Sequence, residues 1–165
     1  MAIILGLLMS TSVLAEGLKL AYVNPNQVLS KLPQTQLIFK KIGEDFKDRR
    51  DKLMAKNKKY QSLQEKGQKE ATTMSKEEKV QLKRQIESLV AELKLGDQAY
   101  KEDVEARKNR ELLKLKSRIF EVIQTIGKRD HYDFIFPSSS FVFAGENVKN
   151  ISTDIVKSMT DPKAN

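Results

Sequence analysis

Residue types that carry chemistry in proteins are few in this sequence, and they do not cluster along it. The chain has 165 residues, no cysteine and one histidine, His131. Zinc sites draw their three or four ligands largely from cysteine and histidine, so we expect no metal site. His131 lies between a long helical pattern and an apolar run, and we interpret it as a turn or capping residue.

Other catalytic arrangements are equally hard to build from these residues. The serines at 138–140 stand outside any G-x-S-x-G context, and we interpret them as a turn. Acidic residues are numerous between positions 34 and 128, but no pattern places two of them in one sheltered pocket. The sequence has no glycine-rich nucleotide-binding fingerprint. We therefore expect no enzyme activity, no cofactor and no use of ATP.

The elements that surround these residues are dominated by one charged stretch without proline, residues 34–127, which we predict to be two long helices. In its first half, apolar residues recur at intervals of seven, which places one stripe along a helix as in a coiled coil. Arg49 and Lys56 interrupt the stripe. Its members are Phe39, Phe46, Leu53, Tyr60 and Gly67.

The stripe stops over residues 67–74, where two threonines are poor helix formers. Ser75 and Glu78 then fit a capping box, in which each side chain satisfies the backbone amide of the other. We predict that a second helix begins there and ends at Gly127. Its apolar stripe consists of Val80, Leu82, Ile86, Leu89, Leu93 and Tyr100, followed by Leu112, Leu115, Ile119, Val122, Ile123 and Ile126.

A short break between two long stripes favours an antiparallel helical hairpin. Symmetry about a turn centred near residues 71–72 would place Leu53 opposite residues 89–90. We call this predicted hairpin, residues 34–128, the arm. The predicted division of the chain is a signal peptide at 1–15, a β-rich base made of 16–33 and 129–160, the arm with its tip near 67–75, and a disordered tail at 161–165.

The positive charge of the chain is concentrated on the arm. The formal net charge is +8, and residues 34–128 contain 24 Lys and Arg against 16 Asp and Glu. A basic, elongated surface attracts acidic chains and anionic surfaces over about a Debye length. The same charge would also serve simply to keep the helices soluble. The cations that we expect to attract a binding partner are Arg49, Arg50, Lys56, Lys58, Lys59, Lys83, Arg84, Arg107, Lys108 and Arg110.

The predicted base has short strands contributed by both ends of the chain. An alternating run at 18–24 predicts the first strand, and Pro25 can begin a short helix after it. Residues 132–136 and 141–144 predict two more strands, joined as a hairpin by the serine-rich turn. A closing helix follows, with Asn150 as its expected N-cap.

The predicted fold is therefore α+β, a small sheet carrying a long, projecting helical hairpin. Three strands leave open edges and aromatic surface, which invite pairing with another copy. In the alternative arrangement, the short helices cover these aromatic side chains within one monomer. The residues that we expect at a subunit interface are Leu20, Tyr22, Phe134, Phe136, Phe141 and Phe143.

Residues 1–15 have the pattern of a secretory signal peptide. An apolar run is followed by Ser-Thr-Ser-Val-Leu-Ala, with the small residues Val13 and Ala15 at the positions that a signal peptidase recognises. The run is too short to span a bilayer. We expect cleavage after Ala15 and export to the periplasm, where no ATP is available. A buried strand or a membrane-tethered N-terminus is the alternative.

Taken in order, these segments resemble the Skp/OmpH family of periplasmic chaperones. The resemblance rests on Leu-Ala-Tyr-Val-Asn at 20–24, the charged hairpin, Tyr-Asp-Phe-Ile-Phe at 132–136 and Asn-Val-Lys-Asn-Ile-Ser-Thr-Asp-Ile-Val at 147–156. It implies a homotrimer in which strands of three subunits form a barrel and three arms enclose a cavity. It further implies ATP-independent binding of unfolded outer-membrane β-barrel proteins, and contact with lipopolysaccharide or anionic phospholipid.

Two other functions remain open from the residues alone. The first is a structural or adaptor protein of the cell envelope whose arm docks on one specific partner. The second is a nucleic-acid-binding protein, which the charge alone suggests. The signal peptide argues against the second, as does the lack of aromatic residues interleaved on the basic faces, so we expect no specific nucleic acid partner.

Overall fold

The structure, a computed structural model, describes residues 17–161. The predicted signal peptide and residues 162–165 of the predicted tail lie outside the described residues. The elements in chain order are β1 (Leu20–Val23), α1 (Pro25–Lys31), α2 (Pro33–Asp45), α3 (Lys47–Glu70), α4 (Lys76–Arg129), β2 (Phe134–Pro137), a 3₁₀ turn (Ser138–Ser140), β3 (Lys149–Asn150) and α5 (Ser152–Thr160). The predicted α+β class is confirmed, with a small sheet and a long helical hairpin.

The first limb of the hairpin is two helices, because the chain breaks between α2 and α3 at Phe46. The backbone of Phe46 has φ −100° and ψ 3°, outside the helical range. Its ring packs edge to face on Tyr100 of α4, with 6.0 Å between the ring centroids. An aromatic contact of this kind holds the break against the opposite helix.

The tip of the hairpin follows the predicted capping chemistry. Helix α3 ends at Glu70, whose carbonyl accepts from the backbone amides of Thr73 and Met74 at 3.0 Å. The Glu78 amide donates to the Ser75 hydroxyl at 3.2 Å, and the Ser75 amide donates to the Glu78 carboxylate at 2.8 Å. The predicted capping box at the start of α4 is confirmed.

The pairing of the two limbs differs from the symmetric prediction. Leu53 lies against Gly96 rather than opposite residues 89–90, so close that an added Cβ at Gly96 would come within 2.8 Å of the Leu53 side chain. Gly67 approaches Leu82 in the same way, at 3.2 Å. The predicted register is wrong because two glycines without side chains let leucines of the other limb approach the backbone. A turn position alone does not reveal this packing.

The sheet is parallel, and its strand order is β2-β1-β3. Leu20 pairs with Phe134 and Tyr22 with Phe136 on one side of β1, while Tyr22 pairs with Asn150 on the other. The predicted β-hairpin between 132–136 and 141–144 is wrong. After Pro137 the chain forms the 3₁₀ turn, residues 141–144 form no strand, and the third strand is β3, which pairs with β1.

The helix α4 ends two residues later than predicted. Gly127 lies inside α4 and packs against Ile135, 3.2 Å from the position of an added Cβ. Beyond the helix, His131 has a left-handed φ of 55°, the Tyr132 amide donates to the Gly127 carbonyl at 2.9 Å and the His131 amide to Lys128 at 3.4 Å. These two bonds form a Schellman motif. The turn role predicted for His131 is confirmed.

The core lies where residues 21–32 and 151–155 meet the last third of α4. The Asn24 amide donates to the Ser152 hydroxyl at 2.8 Å, and the Ile151 amide to the Tyr22 carbonyl at 2.9 Å. The N-cap of α5 is Ile151, one residue after the predicted Asn150, which ends β3. The Asn150 side chain still accepts from the first backbone amide of α5, that of Ser152, at 3.0 Å. The buried cluster consists of Ala21, Val23, Val28, Leu32, Leu115, Ile119, Ile126, Ile151 and Ile155.

Candidate functional site

Two surfaces of the described residues are candidates for binding, the arm and the uncovered face of the sheet. The seam of the arm is thin, since α3 has no buried side chain. Among the large apolar residues of α2, α3 and the first two-thirds of α4, only Ile42 and Leu89 are buried. Large apolar side chains such as Met54 and Leu95 are instead exposed, by 63% and 69%. The arm therefore offers apolar surface along its length.

Ion pairs cross the hairpin where the predicted stripe is interrupted. Lys56 pairs with Glu92 at 2.7 Å, and Arg49 pairs with Asp103. The hydrogen bond from Lys56 holds the pKa of the Glu92 carboxyl below its ordinary value. The two cations that interrupt the stripe are therefore satisfied across the seam. Exposed pairs of this kind stabilise a protein by only about 0–1 kcal/mol each.

A third cross-hairpin cation lies nearer the base. Arg107 reaches Asp45 at 3.6 Å and Glu111 of its own helix at 3.1 Å. It is one of the ten cations predicted to attract a partner, and its charge is balanced within the chain. Arg50, Lys83 and Lys108 also have a carboxylate of their own limb within 4 Å.

The remaining predicted cations are free to meet an external anion. In the described part of the chain Lys58, Lys59, Arg84 and Arg110 make no ion pair. Lys59 and Arg84 line a groove of about 400 Å³ together with Lys56 and the apolar side chains Leu63 and Leu89. The structure thus gathers three of the predicted cations around one patch and leaves the others spread along the arm.

A second groove on the arm is more apolar. It has a volume of about 470 Å³ beside the Leu53–Gly96 contact, and its apolar and aromatic lining is Leu53, Met54, Leu93 and Tyr100. Its polar lining is Arg50, Asn57, Lys94 and Asp97. Grooves that combine apolar side chains with cations suit extended chains that carry apolar side chains and negative charge. Many weak contacts of this kind give adaptable binding rather than a single shaped pocket.

The uncovered face of the sheet gathers five of the six predicted interface residues. Leu20 and Tyr22 alternate with the buried Ala21 and Val23, so they point to the face away from the core. Phe134 and Phe136 pair with them and stack on each other at 5.9 Å. The Phe141 ring packs edge to face on Tyr22 at 5.2 Å.

Phe143, the sixth predicted interface residue, makes no ring contact with this face among the described residues and is 84% exposed. Parallel sheets are normally covered on both faces. Residues 17–161 leave the aromatic rings of Phe134 and Phe136 on this face exposed, which makes the face a candidate binding surface.

Some exposed apolar positions were not predicted from the sequence. Leu113 and Phe120 on α4, and Val142 after the 3₁₀ turn, are all exposed. Phe120 directly follows the buried Ile119. Both belong to a dense apolar run, and the spacing of such a run does not show which of its side chains faces solvent. The sequence pattern places Val142 in a strand of the predicted hairpin.

Residues 17–161 contain neither a candidate metal site nor a helix that could span a membrane. No three His, Cys, Asp or Glu side chains come together there in a way that could hold a metal ion. No helix in the same range is both long and apolar enough to cross a membrane. The candidate functional surfaces are therefore the grooved arm and the aromatic sheet face.

Known proteins with related sequences match both of these regions together. The family model described as "Outer membrane protein (OmpH-like)" matches residues 19–159. A relative from Yersinia enterocolitica, named chaperone protein Skp, is 24% identical over 153 residues, which cover 93% of each chain. A relative of the same name from Vibrio cholerae is 27% identical over 157 residues, covering 93% of this chain and 92% of its own.

A solved structure shares the fold. An OmpH-like protein from Caulobacter crescentus CB15 superposes with a TM-score of 0.70 at 10% identity, covering 86% of this chain and 83% of its own. At that identity the likeness concerns the fold alone. It extends over both the sheet and the long helical hairpin.

Proposed function

Because the chain belongs to the OmpH-like outer membrane protein family, we propose that it is an ATP-independent chaperone of the periplasm. It would bind unfolded outer-membrane β-barrel proteins and keep them from aggregating. The observation that carries this proposal is the family match over residues 19–159, which spans the base and the whole arm. Relatives named chaperone protein Skp align over most of their length and support the same function.

The arm has the physical properties that such a function requires. Unfolded β-barrel proteins expose apolar side chains and unpaired strands, which aggregate. The apolar grooves of the arm give weak contacts to such chains. The unpaired cations Lys58, Lys59, Arg84 and Arg110 attract acidic segments over a distance. A seam with little burial lets the arm adjust to clients of different size.

Assembly into a homotrimer through the base is the second part of the proposal. The bare aromatic face, with Leu20, Tyr22, Phe134, Phe136 and Phe141, supports it, because such a face needs cover. In this arrangement the base, residues 16–33 and 129–160, holds the subunits together. The arms, residues 34–128, then surround a shared cavity for the client.

Export to the periplasm is the third part of the proposal. The proposed signal peptide, residues 1–15, would be removed after Ala15, which would place the mature chain in the periplasm. Amino-terminal sequencing of the protein recovered from the cell envelope tests this step. Recovery of a chain that still begins at Met1 would contradict it.

The direct test of chaperone activity measures aggregation. A urea-unfolded outer-membrane β-barrel protein is diluted into buffer with or without the processed chain, and light scattering is recorded. We expect suppression of scattering at a few-fold molar excess of trimer, without ATP. Unchanged scattering would overturn the proposal, and capture of a single tight partner with no client binding would favour the adaptor function instead.

The role of the unpaired cations has a matched control. Changing Lys58, Lys59, Arg84 and Arg110 to Gln should slow client capture and reduce its dependence on salt. The control replaces four cations that already have carboxylate partners at i±4, namely Lys40, Lys47, Lys69 and Lys101. An equal loss in both variants would assign the attraction to net charge rather than to these positions.

The same cations would serve contact with anionic lipid or lipopolysaccharide. Co-sedimentation with vesicles that contain an anionic phospholipid, compared with zwitterionic vesicles, measures this contact. We expect binding to the anionic vesicles only, weakened in the variant that lacks the four unpaired cations. Equal binding of that variant and the unsubstituted chain would contradict the assignment.

A further inference from the structure

One exposed apolar side chain of the arm carries reactive chemistry, the thioether of Met54. The chain has no cysteine, so methionine supplies its only sulfur. Of the methionines in residues 17–161, Met54 is 63% exposed, whereas Met74 and Met159 are half-buried. Met159 packs against the buried cluster of the base, and Met74 lines two grooves near the tip of the arm. A dissolved oxidant therefore reaches the sulfur of Met54 most easily.

Met54 lies where oxidation would change a binding surface and leave the helical seam intact. Leu53 packs on Gly96 across the seam, but Met54, the next residue, lies on the exposed side of α3. Its side chain lines the second groove of the arm together with Leu93 and Tyr100. This groove is one of those that we propose bind client chains.

Hydrogen-bond donors surround Met54 in the same groove. Arg50 and Asn57 are four residues before it and three residues after it, spacings that place side chains on one face of a helix. Both line the groove, together with Lys94 of the facing limb. Asp97, the acidic residue of the groove, already has a lysine partner of its own helix at 2.6 Å. A thioether accepts hydrogen bonds only weakly, whereas a sulfoxide oxygen is polar and accepts them well, so these donors suit the oxidised side chain.

We propose that Met54 is a site of reversible oxidation to methionine sulfoxide, and that oxidation weakens the binding of apolar client segments by the arm. The oxidant is a hydroperoxide. A lone pair of the sulfur attacks one peroxide oxygen, an S–O bond forms and the O–O bond breaks. The sulfur loses two electrons, and the departing oxygen takes the proton of the transferred oxygen, which yields water from hydrogen peroxide. The effect on clients rests on the proposed function, whereas the site itself does not.

Oxidation changes the groove at one of the four apolar or aromatic side chains that line it. The sulfoxide is polar, so an apolar side chain of a client loses a favourable contact there. Hydrogen bonds from Arg50 and Asn57 would hold the new oxygen in the groove and occupy a cation that otherwise attracts acidic segments. Methionine sulfoxide reductases return the sulfoxide to the thioether. Client binding would therefore respond to oxidant without loss of the fold.

Limited oxidation of the processed chain with hydrogen peroxide tests the site. Samples are quenched with free methionine at intervals, and mass spectrometry of peptides follows the gain of one oxygen at each methionine. We expect Met54 to react several-fold faster than Met74 and Met159 in the native protein, and all three to react at similar rates in urea. Equal rates in the native protein would overturn the assignment.

Client binding tests the consequence. The oxidised chain is freed of peroxide before an unfolded outer-membrane β-barrel protein is added, and suppression of aggregation gives the apparent affinity. We expect a several-fold loss in the unsubstituted chain and in Met74→Leu, but none in Met54→Leu, which keeps an apolar side chain of similar volume. Met54→Gln should show the loss without oxidant, and a sulfoxide reductase should restore the oxidised chain. An equal loss in Met54→Leu would overturn the proposal.

Failure of this inference can be told apart from failure of the proposed function. A chain that binds clients equally well before and after oxidation of Met54 would overturn the inference and leave the proposed function standing. An unoxidised chain that never suppresses aggregation would remove the proposed function and the effect on clients, while the reaction rates would still decide the site. Loss of helix on oxidation, measured by far-ultraviolet circular dichroism, would contradict the placement of Met54 outside the seam.

Discussion

The base and the arm share one long helix, α4, but they are stabilised in different ways. Near the base, α4 contributes Leu115, Ile119 and Ile126 to a cluster of nine buried apolar residues. Along the arm its partner α3 buries no side chain, and ion pairs such as Lys56–Glu92 cross the seam. A fully buried aliphatic side chain stabilises by about 1.5–3 kcal/mol, whereas an exposed ion pair gives about 0–1.

The difference in packing gives one chain a rigid base and an adjustable arm. The base holds residues 20–32 and 151–155 against the last third of α4 through one buried cluster, as the proposed assembly through the base requires. The helices of the arm are stabilised mainly by local interactions, such as the capping box at Ser75. Because α3 buries no side chain, separating or shifting the two limbs costs little free energy. A chaperone that holds clients of different size needs that combination.

The largest expected effect comes from a substitution in the buried cluster that joins the end of α4 to the base. Ile126→Ala should lower the free energy of unfolding by about 3–4 kcal/mol, because Ile126 is 1% exposed in a closed cluster. Leu89→Ala in the arm should cost about 2 kcal/mol or less, since the thin seam can close over the lost volume. Urea denaturation at one fixed chain concentration measures both. Equal losses would show that the arm is as tightly packed as the base.

Two glycines, Gly43 and Gly96, test the register of the helical hairpin. Gly43 has no atom within 4 Å of an added Cβ, so Gly43→Ala should stabilise the protein by about 0.5–1 kcal/mol through helix propensity. Gly96→Ala should lose that gain, because its Cβ would come within 2.8 Å of Leu53. Thermal unfolding of both variants gives the comparison. Stabilisation of equal size at both positions would contradict the observed register.

At the junction between arm and base, we expect a substitution that raises the free energy of unfolding by a small amount. His131 has a left-handed backbone, which glycine adopts without strain. His131→Gly should therefore raise the free energy of unfolding by about 0.5 kcal/mol or slightly more. His131→Val provides the contrast, since a β-branched residue is strongly disfavoured there. A gain in stability with valine would argue against the Schellman turn.

Acid should loosen the arm before the base. The pKa of Glu78 is lowered by its hydrogen bonds to Ser75, and that of Glu92 by its hydrogen bond to Lys56. A lowered carboxyl pKa gives stability that is present above the ordinary value of 4.5 and is lost as the pH falls through the folded value. The pKa of the Asp51 carboxyl is likewise lowered by its hydrogen bond from Lys47, so the stability of this pair is also lost in acid.

Far-ultraviolet circular dichroism during acid titration measures the effect. We expect a partial loss of helix below pH 4.5, reduced in Glu92→Gln, while near-ultraviolet signals from the base tyrosines persist. Simultaneous loss of both signals would contradict a separate response of the arm. The loss of stability in acid should be the smallest of the four predicted effects, because the carboxyl groups of Glu78 and Glu92 are exposed.

Features that depend on neighbouring residues were predictable from the sequence. The capping box needs only Ser75 and Glu78, the α1 start needs Asn24 and Pro25, and the helical stripes follow from spacing. The side chains of β1 and β2 that lie on the face away from the core also follow from alternation along each strand. These patterns are local, so the residues that create them are visible in sequence order.

Features that depend on distant contacts were not predictable. The register of the hairpin is set by Leu53 meeting Gly96, a pair that no local pattern connects. The parallel pairing of β1 with Lys149–Asn150 joins opposite ends of the chain, and a two-residue strand has no pattern of its own. Propensity assigned a strand at 141–144, but propensity cannot identify a pairing partner.

Hydrogen exchange with and without a bound client tests the central comparison most directly. For the free protein, we predict slow exchange in β1, α5 and the last third of α4, and fast exchange in α3 and the facing part of α4. A bound outer-membrane β-barrel protein should slow exchange along the arm and leave the base unchanged. Uniform protection of the free chain, or client protection confined to the base, would contradict the account.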